Sequence, residues 1–181
     1  MSVELERKFN IIGMLIGNSL LFILECVTNY LMFAENKWAC FKYYTDIANA
    51  FALFVSGVMV ASCIIVLIKN KLFLPKWVMV FKLISTTMLL ITFTIVVTFL
   101  APWFGTAGYL VFLFGGPMLF THTICPLFSI ISFMTIERGY KYKFGATSFV
   151  ILPTLVYGII MIILNIFSVV VGPYPFFMVY R

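Results

Sequence analysis

Three residue types in this chain have the spacing of an acyl-transfer centre. In the stretch YYTDIANAF (43–51), Thr45 and Asn49 stand four residues apart, so on a helix they share one face. The only histidine, His122, lies in GGPMLFTHTICPLF (115–128), between Thr121 and Thr123. A hydroxyl can attack an acyl carbon, an imidazole can take its proton, and an amide N–H can steady the oxyanion. Threonine is sterically a poorer nucleophile than serine, but the same base activates it. The surroundings of His122 are almost wholly hydrocarbon, and an imidazole within a membrane segment marks a functional site by default. A histidine that hydrogen-bonds a neighbouring helix and merely holds a bundle together gives the same pattern.

The elements that carry these residues are set by composition. Of the 181 residues, 64% are hydrophobic and 10% charged, against about 45–50% and about 25% in soluble domains. The sequence therefore reads as an all-α integral membrane protein, a single polytopic bundle over residues 1–181 without a soluble appendage. Runs of about 20 apolar residues, enough to cross a bilayer, predict helices at 9–33, 45–68, 78–100, 118–136 and 146–171. No internal repeat or long linker divides them. The Gly115-Gly116-Pro117 step predicts a break, because proline favours the first helical position. Residues 101–116 then form a glycine-rich segment on or dipping into the membrane surface, and His122 falls in the first two turns of the fourth helix. A helix starting near 109 would instead bury His122 about 20 Å deep at 1.5 Å per residue.

Charge sets the topology. The N-terminus and the loops near 69–82 and 137–143 hold Arg7, Lys8, Lys69, Lys71, Lys76, Lys82, Arg138, Lys141 and Lys143, nine of the 12 basic residues; Lys37, Lys42 and Arg181 lie opposite. The positive-inside rule places the N-terminus in the cytoplasm and, after five crossings, the C-terminus outside. The net charge of +6 thus reflects topology, and no basic face is left to bind nucleic acid. Cys26, Cys40, Cys63 and Cys125 are too scattered for a zinc or redox motif, so no metal and no cofactor is expected. The first apolar segment is too long for the core of a cleavable signal peptide, and no cleavage site follows it.

On this topology the polar side chains gather in one layer. Thr45, Asp46 and Asn49 open the second helix, while Thr121, His122, Thr123 and Cys125 occupy the matching depth of the fourth. Glu25 and Asn29 lie in the outer half of the first helix, and Asn165 in that of the fifth. Asn18, Asn29 and Ser56 read as interhelical hydrogen-bonding residues, worth about 1 kcal/mol each. Glu25 must be protonated, pair across the bundle or face water. Lys82, near a helix end, is expected to snorkel to the interface. Asp46 either orients His122 or caps its helix, where the dipole favours an acid.

The sequence resembles the androgen-induced membrane hydrolases and their prokaryotic six-helix relatives. YYTDIANAF is similar to that superfamily's aromatic-Thr-x-x-x-Asn signature, and THTICPLF to its histidine motif, in which Pro-Leu follows shortly. VILPTLVYGIIMII (150–163) resembles the next helix, and GPYPFFMVY (172–180) the Tyr-Pro-rich turn after it. Order and spacing agree across roughly residues 10–180. Asp46 is a departure from the pattern. The chain also ends at Arg181, where relatives continue into a sixth helix, so a wall of the substrate cavity is either missing or supplied by a second copy.

The resemblance implies hydrolysis of fatty acid esters of hydroxy fatty acids, with Thr45 as nucleophile and His122 as base. Membrane lipid or another acyl ester is then the substrate, and the prokaryotic cytoplasmic membrane the location. Asn49 would be a supporting donor, with Asp46, Glu25 and Asn165 as second-rank partners. The rival reading is a non-enzymatic membrane protein, a structural partner in a complex or a small permeation subunit, in which the same polar layer is glue.

Overall fold

The computed structural model describes residues 3–137, 140, 142 and 144–169, and among these no residue is in a β-strand. Helix α1 spans Val3–Asn36 and leads through a 3₁₀ turn at Lys37–Lys42 into α2, Tyr44–Ile68. Helix α3 runs over Lys76–Trp103, the short α4 over Thr106–Phe114, and α5 over Gly116–Thr135. Two further helices follow, α6 at Phe144–Ser148 and α7 at Leu152–Ile166.

Helices α1, α2, α3 and α5 are long and apolar enough to cross a membrane, as an integral membrane protein requires. Their outer surfaces carry Ile23, Phe54, Ile65 and Phe99, each more than half exposed, which only a lipid solvent would tolerate in such number. The buried face of α1 is Ile11, Met14, Asn18, Leu21, Glu25 and Thr28. These alternate at three- and four-residue intervals, the spacing of a left-handed helix seam, and half of them are polar. On α3 the buried stripe of Lys82, Ser85, Thr86, Leu89 and Thr92 repeats the pattern. Small residues on the inner face of α2 (Ala48, Ala52, Ser56) let it approach α1 closely.

One apolar core joins Ile11, Met14, Met59, Cys63, Val78 and Met79, where α1 and α3 begin and α2 ends. The other joins Tyr44, Ala48, Ala52, Met88 and Leu89, at the start of α2. The polar side chains lie between and beside them.

Two π-helical turns interrupt this regularity, Val96–Leu100 in α3 and Phe120–Ile124 in α5. Each is centred four residues before a proline, Thr98 before Pro102 and His122 before Pro126. A proline has no N–H to offer the carbonyl four residues back, and its ring presses on that carbonyl. A widened turn relieves both problems, and such turns are common at functional sites.

The expected break at Gly115–Pro117 is present. Gly115 is extended (φ −85°, ψ 117°) and Gly116 takes φ 46°, a left-handed conformation that favours glycine. Within the glycine-rich segment expected at 101–116, residues 106–114 form α4. It folds back so tightly that a Cβ on Gly108 would run into the Ala101 carbonyl.

The end of the chain departs from expectation. A continuous helix over 146–171 is replaced by α6 and a separate α7, whose 15 residues reach only about 22 Å against a hydrocarbon core of about 30 Å. Tyr142 donates to the Met79 carbonyl (3.3 Å), near the start of α3. Yet Thr154 and Tyr157 contact residues 42–44, at the start of α2. The chain therefore crosses to the other end of the bundle before α7 begins, rather than within it. Arg138, Lys141, Lys143, Arg181 and the motif GPYPFFMVY lie outside the described residues.

Candidate functional site

The first turn of α2 is pinned from outside. The Tyr44 hydroxyl lies 2.6 Å from Thr154 Oγ1, the Tyr44 and Tyr157 rings are 5.2 Å apart, and Tyr157 donates to the Lys42 carbonyl at 2.8 Å. Behind this rim Thr45 is 7% exposed and Asn49 1%. Asn49 Nδ2 donates to the Thr45 carbonyl (2.8 Å) and, more weakly, to the Thr121 carbonyl of α5 (3.4 Å). That amide joins the threonine motif to the histidine motif at one depth. Both its protons face carbonyls, and its Oδ1 has no partner. To serve an oxyanion, Asn49 would have to release Thr121.

His122 occupies the centre of the π-turn and is 7% exposed. Its Nδ1 lies 2.9 Å from the Phe112 carbonyl. A carbonyl only accepts, so Nδ1 carries the proton and Nε2 presents a lone pair. The adjacent Thr123 hydroxyl donates to the Leu113 carbonyl at 2.9 Å. Together the two side chains satisfy carbonyls in the last turn of α4, which have no donor partners within that helix. The π-turn thus does two things: it accommodates Pro126 and it turns His122 and Thr123 jointly toward α4. No hydrogen bond joins Thr45 to His122; the link between them runs through Asn49 and the Thr121 backbone.

The remaining expected partners fall elsewhere. Asp46 is 5% exposed, yet neither carboxylate oxygen has a partner. It neither orients His122 nor caps α2, whose N-cap position is Tyr43; its remaining support is the N-terminal dipole. Glu25, fully buried, accepts a long bond from Asn29 (3.5 Å) and leaves Oε1 unpartnered. Its electrostatic partner is Lys82, not His122. On α7 it is Thr154 and Tyr157 that reach the rim of the site; Asn165 lies eight residues beyond Tyr157, about 12 Å along the axis.

Lys82 overturns its expected snorkelling. It is 1% exposed, with Nζ 3.8 Å from Oε1 of Glu137, itself fully buried. Asn18 Nδ2 donates to the same Oε1 at 2.8 Å and to the Met14 carbonyl at 2.9 Å. Sequence reasoning passed over Glu137 because it follows the last apolar run and reads as loop. The signal for Lys82 was available: it starts a polar stripe at helical spacing, and snorkelling residues do not share a face with Ser85, Thr86 and Thr92.

Compared with known protein families, curated proteins and solved structures, the chain matches none of them.

Proposed function

We propose that this chain is a membrane-embedded lipid-ester hydrolase or acyltransferase of the androgen-induced hydrolase type, with Thr45 as nucleophile and His122 as base. The observation that carries this is the orientation of His122: the Phe112 carbonyl engages Nδ1 and leaves Nε2 basic, on a turn that Asn49 ties to Thr45. Thr45 Oγ1 attacks the ester carbonyl while its proton passes to Nε2, directly or through one water. The alcohol leaves with that proton, giving an acyl-threonine. Water then attacks, delivering a proton to Nε2, and Nε2 passes it to Thr45 Oγ1 as the acid leaves, which restores the threonine hydroxyl and the neutral imidazole. The long Asn49–Thr121 bond is the one that yields to the oxyanion.

In this reading α7 is the fifth membrane-associated helix, the N-terminus lies in the cytoplasm of a prokaryote and the C-terminus outside. The test is ester hydrolysis by purified protein in detergent or vesicles. Thr45→Val and His122→Ala should each lower the rate by the 10²–10⁴-fold typical of general-base loss, and Thr45→Ser should retain activity. Full activity in Thr45→Val ends the proposal.

The non-enzymatic reading has its own observation, the joint capping of α4 by His122 and Thr123. If His122 serves only this end, His122→Ala loosens α4 and no ester turns over in the wild type.

A further inference from the structure

We propose that the buried polar cluster of α1, α3 and α5 is an intramembrane proton-binding site, in which Glu25 carries one exchangeable proton and water satisfies the unpaired atoms of Lys82, Asn18 and Glu137. The inference is independent of the Thr45–His122 chemistry.

Unsatisfied polar atoms concentrate here. Asn18 Oδ1, Glu25 Oε1, Lys82 Nζ, Ser132 Oγ and Glu137 Oε2 are all buried without a hydrogen-bond partner. Native interiors leave few such atoms unpaired, and ordered water usually accounts for them. The Lys82–Glu137 separation of 3.8 Å is too long for a hydrogen bond and leaves both groups open to a bridging water.

Charge then decides the ligand. Two carboxylates and one ammonium give a buried excess of one negative charge, which is costly away from water. Among the described residues, Cys63 of α2, Cys125 of α5 and Tyr142 beyond α5 are the other titratable groups facing the cluster, and none of these supplies a positive charge. A metal cation would compete with the ammonium, and an anion would meet two carboxylates. A proton neutralises the excess without either conflict. Glu137 is the better-supported anion, with Asn18 at 2.8 Å and Lys82 alongside. Glu25 has only the 3.5 Å contact from Asn29 and the Cys125 thiol. The proton therefore belongs on Glu25.

A cleft of about 390 Å³ opens where α1 and α3 begin, lined by Arg7, Asn10, Met14, Lys76, Met79 and Tyr140. Met14 and Met79 in its wall precede Asn18 and Lys82 by about one helical turn. Glu25 lies two turns beyond Asn18, about 10 Å further by helical rise.

The test is infrared difference spectroscopy of the full chain in phosphatidylcholine vesicles, in an Asp46→Asn background that removes the buried carboxyl outside the cluster. At neutral pH a protonated-carboxyl C=O band should be present, shift in D₂O, and disappear in Glu25→Gln. Lys82→Met should add a second band of about equal intensity, because Glu137 loses its counter-ion and must take a proton. A band unchanged by Glu25→Gln, or one that does not shift in D₂O, overturns the proposal. Should Glu25→Gln not fold, the Lys82→Met arm decides alone: no gain in band intensity overturns it.

Discussion

Separating Lys82 from Glu137 should be among the most destabilising single changes in this protein. The ammonium is 1% exposed and lies 3.8 Å from Oε1 of a fully buried carboxyl. At an effective dielectric constant of about 20, that separation corresponds to about 4 kcal/mol of attraction. Removing one partner strands the other charge, which in buried pairs typically costs about 3–5 kcal/mol. The membrane sharpens the contrast. When the helices separate, Lys82 is six residues from the start of α3 and can reach the interface, whereas in the assembled bundle it cannot. Glu137→Gln and Lys82→Met should therefore each lower stability by about 3 kcal/mol or more. The Lys82→Met, Glu137→Gln double variant should recover much of the loss, giving a coupling energy above about 2 kcal/mol in a double-mutant cycle. Reversible unfolding with a denaturing detergent in mixed micelles measures all four species. Additive losses, with coupling below about 0.5 kcal/mol, would refute the reasoning, since each charge would then be satisfied without the other.

Pro126→Ala restores an N–H opposite the His122 carbonyl, so the π-turn should relax toward α-helix and swing His122 by about 100°. Nitrogen NMR of the imidazole should then lose the Nδ1–H tautomer, and an unchanged tautomer would discount the proline as the cause of the turn. Thr123→Val removes one of the two side-chain caps on α4, a loss of about 1 kcal/mol. It should raise hydrogen exchange at residues 109–114 with little effect elsewhere; uniform exchange would mean that α4 is held by other contacts. Reporter fusions after residues 73 and 181 should report inside and outside respectively, and a cytoplasmic C-terminus would show that α7 returns across the membrane.

Composition and local patterning determined a good deal of this protein. The membrane class follows from how few charges 181 residues carry. The helices at 9–33, 45–68 and 78–100 lie within the long apolar helices found, and 118–136 overruns its helix by one residue, because hydrophobic length is a local property. The break at Gly115–Gly116 was legible for the same reason, and the shared depth of Asn49 and Thr121 followed from helix lengths alone. The positions of both π-turns could also have been read, four residues ahead of Pro102 and Pro126.

Tertiary structure decided which way the side chains face and whom they meet. Lipid is as apolar as a protein core, so hydrophobic contrast does not tell a transmembrane helix which side is inside. Lys82 therefore read as a snorkelling residue from its place near a helix end, whereas α1 and α5 supply Asn18 and Glu137 and make it a buried charge. His122 meets Phe112 only because the chain turns back at Gly115–Gly116 and lays α4 against the π-turn. Asp46 stays unpartnered, and α7 reaches the rim of the site through Thr154 and Tyr157, because each contact depends on the relative rotation of whole helices. Those rotations are fixed by packing between residues far apart in the chain, such as 82 and 137, and no local period encodes them.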